Sequence, residues 1–250
     1  MESEQIQEKH YDRIAEEYEK HYNDKYGRRY YWKFLCEPLL DKINLAGKKV
    51  LDGMCGSGEM TSYLLSRGAV VTGLDISNKV IEMYQDKWKL CRGVQGSICR
   101  TKFEDNSFDV VVVAAGLHHV QPDINKAILE IHRILKPGGD FFFIEPHKNS
   151  MYESFREIWY AKDNLFEENE ESIDLNFLKK TFVNKFQFIK NKYAGNIAYF
   201  FVWNSLIFRI PLKAKKYYSP LLILIESILD PLMFKWNSTL VECHWKKELF

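Results

Sequence analysis

Residues Val50 to Thr61 read Val-Leu-Asp-Gly-Met-Cys-Gly-Ser-Gly-Glu-Met-Thr, and no other stretch restricts the fold as strongly. The run from Lys49 to Leu51 is short enough for a buried strand, and Met60 and Leu64 stand one helical turn apart within 59–66, so the glycines fall on a strand-to-helix turn. Gly56 and Gly58 permit a positive φ or a close approach of ligand to backbone. The helix that follows aims its unpaired N–H groups and the positive end of its dipole at whatever docks there. The turn is read as a ligand site.

Two acids narrow the ligand. A dinucleotide fingerprint needs a third glycine in G-x-G-x-x-G, but Gly56 and Gly58 are followed by Thr61. Asp52 stands immediately before the loop, where it would repel a pyrophosphate. A carboxylate beside a glycine turn suits a cationic ligand end instead. A second acid, Asp75, closes the apolar run Val70 to Leu74, near the place ~20 residues on where ribose-binding acids fall in such folds. The implied ligand is a nucleoside carrying a cation.

Downstream, strands and helices alternate: strand 49–52, helix 58–67 closed by Gly68, strand 70–74, helix 77–90, strand 93–97, strand 108–114. Helix 122–135 opens with Pro122 and repeats Ile124, Ile128, Ile131 and Leu135 on one side. Lys136-Pro137-Gly138-Gly139 ends it, and Asp140 to Glu145 forms the next strand. This order predicts an α/β, doubly wound sheet with helices on both faces and ligands at the carboxyl ends of the strands.

Four segments in order, Val50 to Thr61, Val71-Thr72-Gly73-Leu74-Asp75-Ile76-Ser77, Phe103 to Val111 and Ile134-Leu135-Lys136-Pro137-Gly138-Gly139, resemble the successive motifs of the class I S-adenosylmethionine (SAM) dependent methyltransferases. The resemblance covers roughly residues 9 to 148. It implies a mostly parallel, seven-stranded, Rossmann-like sheet, SAM as cofactor and a small-molecule acceptor. It also implies that Asp52, Gly53, Cys55, Gly56 and Gly58 hold the methionine end, Asp75 and Ile76 the ribose and adenine, and Ser97 and Ile98 the adenine edge. The chain departs from the family pattern at Met54, which occupies the first glycine position with Gly53 one residue early, and at Ser97, which stands where an acid is usual.

With 250 residues and 46% hydrophobic side chains, one substantial core is expected. The expected domain, 1–250, comprises a helical cap (1–46), a SAM-binding core (47–195 and 237–250) and an apolar insert or lid (196–236). A net charge of +1 disfavours nucleic acid. The five cysteines show no C-x-x-C pair, and Met1-Glu2-Ser3-Glu4 no signal peptide, so reduced thiols and a cytoplasmic location are expected. No metal is expected, since the adjacent His118 and His119 lack a suitably spaced third ligand.

Glu4 to Tyr22 reads as a helix with Tyr11, Ile14, Ala15 and Tyr18 on one face. Its Tyr-Asp-x-x-Ala-x-x-Tyr pattern is similar to methyltransferases in which such aromatics cover the cofactor, so Tyr11 and Tyr18 are candidates beside a plain core stripe. The basic, aromatic segment Lys25 to Lys33 leads a helix to about Ile43; its charges form a solvated face or receive an anionic group, with Arg29 the candidate. The strand after Asp109 ends in Ala114-Ala115-Gly116-Leu117-His118-His119, and the strand after Asp140 in Glu145-Pro146-His147. The small Ala114 lets the cofactor pass. An imidazole near the methyl group could act as base: His119 first, by analogy with the family, and His147 second, against a bland reading in which His119 only holds its loop.

Beyond Ser150 the resemblance fades. Helices are expected at 152–160 and 174–182, strands at 185–193 and 239–245. Between those strands, 197–236 is strongly apolar but interrupted by lysines, and neither part reaches the ~18 uninterrupted apolar residues of a membrane span. It is read as a lid or homodimer face, or as an interfacial patch meeting lipid. The expected activity is methylation of an oxygen or nitrogen on a small molecule, with a sugar or lipid-linked glycoconjugate preferred. C-methylation of a quinone or isoprenoid ring, and SAM binding without turnover, are the competing readings.

Overall fold

The computed structural model describes residues 8, 9, 12, 22, 24–121, 123–153 and 171–249. Tyr11, Tyr18, Pro122 and most of the helices expected at 4–22 and 152–160 lie outside them. Among the described residues seven strands form one sheet: β1 (Lys49–Gly53), β2 (Val70–Asp75), β3 (Arg92–Gln95), β4 (Phe108–Ala114), β5 (Leu135–Pro146), β6 (Phe186–Ala194) and β7 (Leu240–Lys247). Their order is β3-β2-β1-β4-β5-β7-β6. Strands β1 to β5 pair in parallel, and β7 runs antiparallel to both β5 and β6. From β1 the chain builds outward to β2 and β3, then returns to β4 on the other side. That reversal opens a crevice at the carboxyl ends of β1 and β4.

The strands read as apolar runs because both sheet faces are covered. Alternate residues serve opposite cores: Val50, Val110, Val112 and Phe142 pack on one face, and Leu51, Val111, Phe141 and Phe143 on the other. Helices α1 (Lys25–Tyr30) and α2 (Glu37–Leu40) are joined by a π-helical turn at Tyr31–Cys36. They cover the first face together with α3 (Glu59–Ser66) and α4 (Asn78–Lys87). Helices α5 (Ile124–Ile134) and α6 (Leu175–Phe182) cover the second. Helix α5 earns its place through Ile124, Ala127, Ile128, Ile131 and Ile134, all buried.

Strand β5 starts at Leu135, ahead of the expected Asp140. Its early segment pairs Phe108 with Leu135, and a bulge shifts the register before Val110. Gly138 turns at φ 71°, and a Cβ on Gly139 would stand 2.8 Å from the Lys136 carbonyl and 3.0 Å from that of Asp109. The Lys-Pro-Gly-Gly segment is a bulged strand entry where the sequence suggested a stop.

The two last strands pair as expected, but a long insert joins them. It holds a π-turn (Tyr199–Trp203), α7 (Lys215–Leu229) and three short 3₁₀ turns. Helix α7 is fastened to α1 by polar contacts: Lys215 Nζ lies 2.5 Å from Asp24 Oδ2, Tyr30 Oη donates to Glu226 Oε1 at 3.2 Å, and Lys33 Nζ donates to Ser227 Oγ at 2.6 Å. Among the described residues no helix is long and apolar enough to cross a membrane.

Glu242, in the middle of β7, is buried, and neither carboxyl oxygen has a hydrogen-bond partner among the described residues. Lys192 Nζ lies 3.8 Å from Oε1, and burial pushes the carboxyl up to about 8. In the unfolded chain a glutamate titrates near ~4.3. Between these values the folded state holds the extra proton, so stability falls as pH rises from about 4.3 to about 8. Glu242→Gln should therefore raise the melting temperature at pH 8.5 and change it little at pH 5; equal effects at both would remove this account.

Candidate cofactor site

At the end of β1 the chain reverses through Met54, whose φ is 58°, and Gly56, at 50°. A left-handed non-glycine residue costs about 1 kcal/mol. Met54 holds it while its side chain packs against Gly116, where a Cβ would come within 2.8 Å of the Met54 sulfur. Cys55 N–H donates to the Leu74 carbonyl at 2.9 Å, fixing the loop to β2. Gly58, at φ 86°, precedes α3. A Cβ there would fall 2.2 Å from Trp88 Nε1, which donates to the Ser57 carbonyl at 2.9 Å. Gly58 thus makes room for an indole and does not line the cleft. Gly53 likewise faces Ile98 and Val113 inside the fold.

The two acids close opposite sides of this loop. Asp52 is 2% exposed; its Oδ2 accepts from Thr61 Oγ1 at 2.6 Å, and Thr61 Oγ1 lies 2.9 Å from Tyr84 Oη. Burial outweighs the Thr61 bond and pushes Asp52 up to about 8. Asp75 Oδ2 accepts from Gly56 N–H at 3.0 Å and Oδ1 from Ser77 N–H at 3.1 Å. Burial raises its pKa also, against the pull of those amides. Ser97 Oγ already accepts from Cys99 N–H at 3.1 Å, leaving its hydroxyl hydrogen and remaining lone pair for a ligand.

Past β4, Ala115 is left-handed at φ 53°, and its N–H donates to the Ile144 carbonyl at 2.7 Å. Buried Glu145 then gathers the turn: Oε1 accepts from Gly116 N–H at 2.9 Å and Leu117 N–H at 2.7 Å, while Oε2 lies 2.7 Å from His118 Nδ1. His118 is structural. The His119 ring lies against it at a tilt of 38°, with centroids 3.9 Å apart, and borders the cleft. His147, the second base candidate, is buried elsewhere, its Nε2 3.0 Å from Ser238 Oγ and its Nδ1 3.0 Å from the Lys148 carbonyl. It does not border the cleft, and exposed Arg29 does not either.

These pieces border a cleft whose empty space, counted out to its open mouth, is about 1180 Å³. Asp52, Cys55, Gly56, Asp75, Ile76 and Ser97 line it, as do Ile98, Ala114 and His119. An aromatic wall of Tyr22, Tyr31 and Trp203 completes it, drawn from the N-terminal aromatics and the insert, to which the sequence assigns acceptor recognition without singling out these three. Trp203 comes from the insert, and its ring packs 5.3 Å from Tyr22 and 5.7 Å from Tyr31. Glu145 was missed as well, although an acid ending the apolar run Phe141 to Ile144 at the ligand edge was a readable signal.

A family model described as a methyltransferase domain matches residues 51–143, which span β1 through most of β5. The demethylmenaquinone methyltransferase of Geobacillus stearothermophilus is 30% identical over 171 residues, 62% of this chain and 70% of that protein. The ubiquinone biosynthesis O-methyltransferase of Pseudomonas syringae pv. tomato is 38% identical over 115 residues, 44% of this chain and 49% of that one. For several such relatives the matched segment spans only about half of their length. Among solved structures, a SAM-dependent methyltransferase from Methanosarcina mazei shares the fold with a TM-score of 0.61 at 18% identity, over 85% of this chain and 98% of that one. Identity to a methyltransferase across 70% of its length, together with the family model over 51–143, makes the chain a member of the class I SAM-dependent methyltransferases.

Proposed function

We propose that the protein transfers a methyl group from SAM to a ring carbon or ring oxygen of a quinone-type small molecule. The observation that carries this reading is the aromatic wall of Tyr22, Tyr31 and Trp203 facing the cofactor loop across one cleft. Such a wall suits a flat ring, which gains offset or edge contacts with it. Relatives named for demethylmenaquinone and ubiquinone biosynthesis support the ring acceptor over the sugar preferred from sequence.

The residues present suit SAM. Buried Asp52 borders the cleft, and its partner on α3, Thr61, is neutral, so a cationic amino group would supply a countercharge. Asp75, held by two backbone amides, is the candidate for ribose hydroxyls, with Ile76 and Ile98 as apolar neighbours for the adenine. When bound, SAM supplies a methyl group made electrophilic by its sulfonium. The chain's own part is alignment in a largely apolar pocket and removal of a proton from the acceptor. His119 is the candidate base, its ring held against His118, which Glu145 anchors. The insert supplies Trp203 and is proposed as the cover of the acceptor side.

Below about 8 the empty cleft holds Asp52 protonated, and a cationic ligand favours the carboxylate, so binding must expel a proton. SAM affinity should rise from pH 6 to 8 and level off above. Calorimetry near pH 7 in buffers of different ionisation enthalpy should report the proton release; no buffer dependence would sink the assignment of Asp52. Asp75→Ala should abolish SAM binding by calorimetry. His119→Ala should leave SAM binding intact while lowering turnover roughly 100-fold or more, the usual scale of a lost general base; unchanged turnover would retire the base.

A further inference from the structure

Helix α7 is built inside out. The face turned to the protein carries Lys215, Ser219, Ile223 and Glu226, all buried. Lys215 pairs with Asp24, and Glu226 accepts from Asn196 N–H at 2.7 Å, from Ala198 N–H at 2.9 Å and from Tyr30 Oη. The opposite face carries Tyr217, Leu221, Leu224 and Ile228, spaced by four, three and four residues and so aligned in one stripe. Leu221 is 60% exposed, Leu224 58% and Ile228 65%. A surface helix of a soluble protein ordinarily has the reverse polarity. The turns after α7 extend the stripe with exposed Leu232, Phe234 and Trp236, the last two rings stacked 6.4 Å apart.

The charges of the insert favour one occupant. Its two acids are withdrawn: Glu226 is buried, and Asp230 is held by Lys192 Nζ at 2.9 Å. Arg209, Lys213 and Lys216 are exposed, and Lys235 is partly so. A second copy docking through this face about a two-fold axis would bring two sets of these cations into one interface with no exposed acid of the insert to pair them. An anionic surface would neutralise them. Apolar side chains in a stripe, Tyr and Trp at its ends and Lys at its border form the pattern of an element lying in a lipid interface.

We infer that the exposed face of α7 and the turns to Trp236 form a docking surface for anionic lipid bilayers. The stripe enters the acyl boundary, and Lys213, Lys216 and Lys235 meet the head groups. Trp203 of the same insert lines the cleft, so the docked face and the proposed acceptor wall belong to one segment. The docking surface needs only the exposed apolar stripe and the cations beside it, and it does not depend on methyl transfer.

Flotation of the full chain with vesicles of phosphatidylcholine containing 30% phosphatidylglycerol tests it. The protein should float with these vesicles at 0.1 M NaCl, release at 0.5 M as screening shortens, and remain behind with phosphatidylcholine alone. Leu221→Ser/Leu224→Ser/Ile228→Ser should lower binding at least tenfold. Lys213→Glu/Lys216→Glu, which leaves the apolar stripe intact, should lower it by roughly fivefold or more per residue, the scale of one lost basic contact. Circular dichroism and melting should match the parent in both. The inference is overturned by failure to float, by equal binding to neutral vesicles, or by lipid-free self-association in sedimentation that the triple substitution abolishes. Binding unaffected by both variants overturns it too.

Discussion

One buried carboxyl holds the cofactor side of the molecule together. Asp52 is buried near the end of β1, and its anchorage is Thr61 on α3, itself in contact with Tyr84 on α4. The Tyr84 ring in turn lies over Gly73 of β2, where even a methyl group would come within 2.6 Å. Two strands and two helices are thus registered through one acid, a hydroxyl and a phenol. The arrangement leaves a carboxyl whose charge burial disfavours, the property that underlies its proposed part in holding a cation.

The second structural knot, Glu145, works in the opposite sense. Its oxygens receive backbone amides of the turn after β4 and the imidazole of His118, so its hydrogen-bonding capacity is spent. Burial disfavours the charge of one acid, and the other is satisfied by the loop that it fixes.

Much of this was legible in the chain itself. The alternation of apolar strands with helices gave the parallel core, and the placement of Asp52, Gly56 and Asp75 around the cleft followed from the strand-to-helix turn. What escaped reading depended on distant partners. His147 borders a strand end like His119, but Ser238, 91 residues later, takes its ring. Trp203 reaches the cleft from a segment with no motif. In α7 a strongly apolar run suggested burial, yet the sheet was already covered, and the helix instead buried the few polar residues that α1 and the loop after β6 could satisfy. Segment composition says how much must be hidden, not which side finds a neighbour.

The contact between Gly58 and Trp88 carries an evolutionary consequence. The indole occupies the space that any side chain at position 58 would need, and it also takes the Ser57 carbonyl. The tilt of α3, and with it the direction of its amide groups, is set by a ring on the neighbouring helix. Descendants of this chain can enlarge residue 58 only after losing bulk at 88, so substitutions at these two sites should travel in pairs.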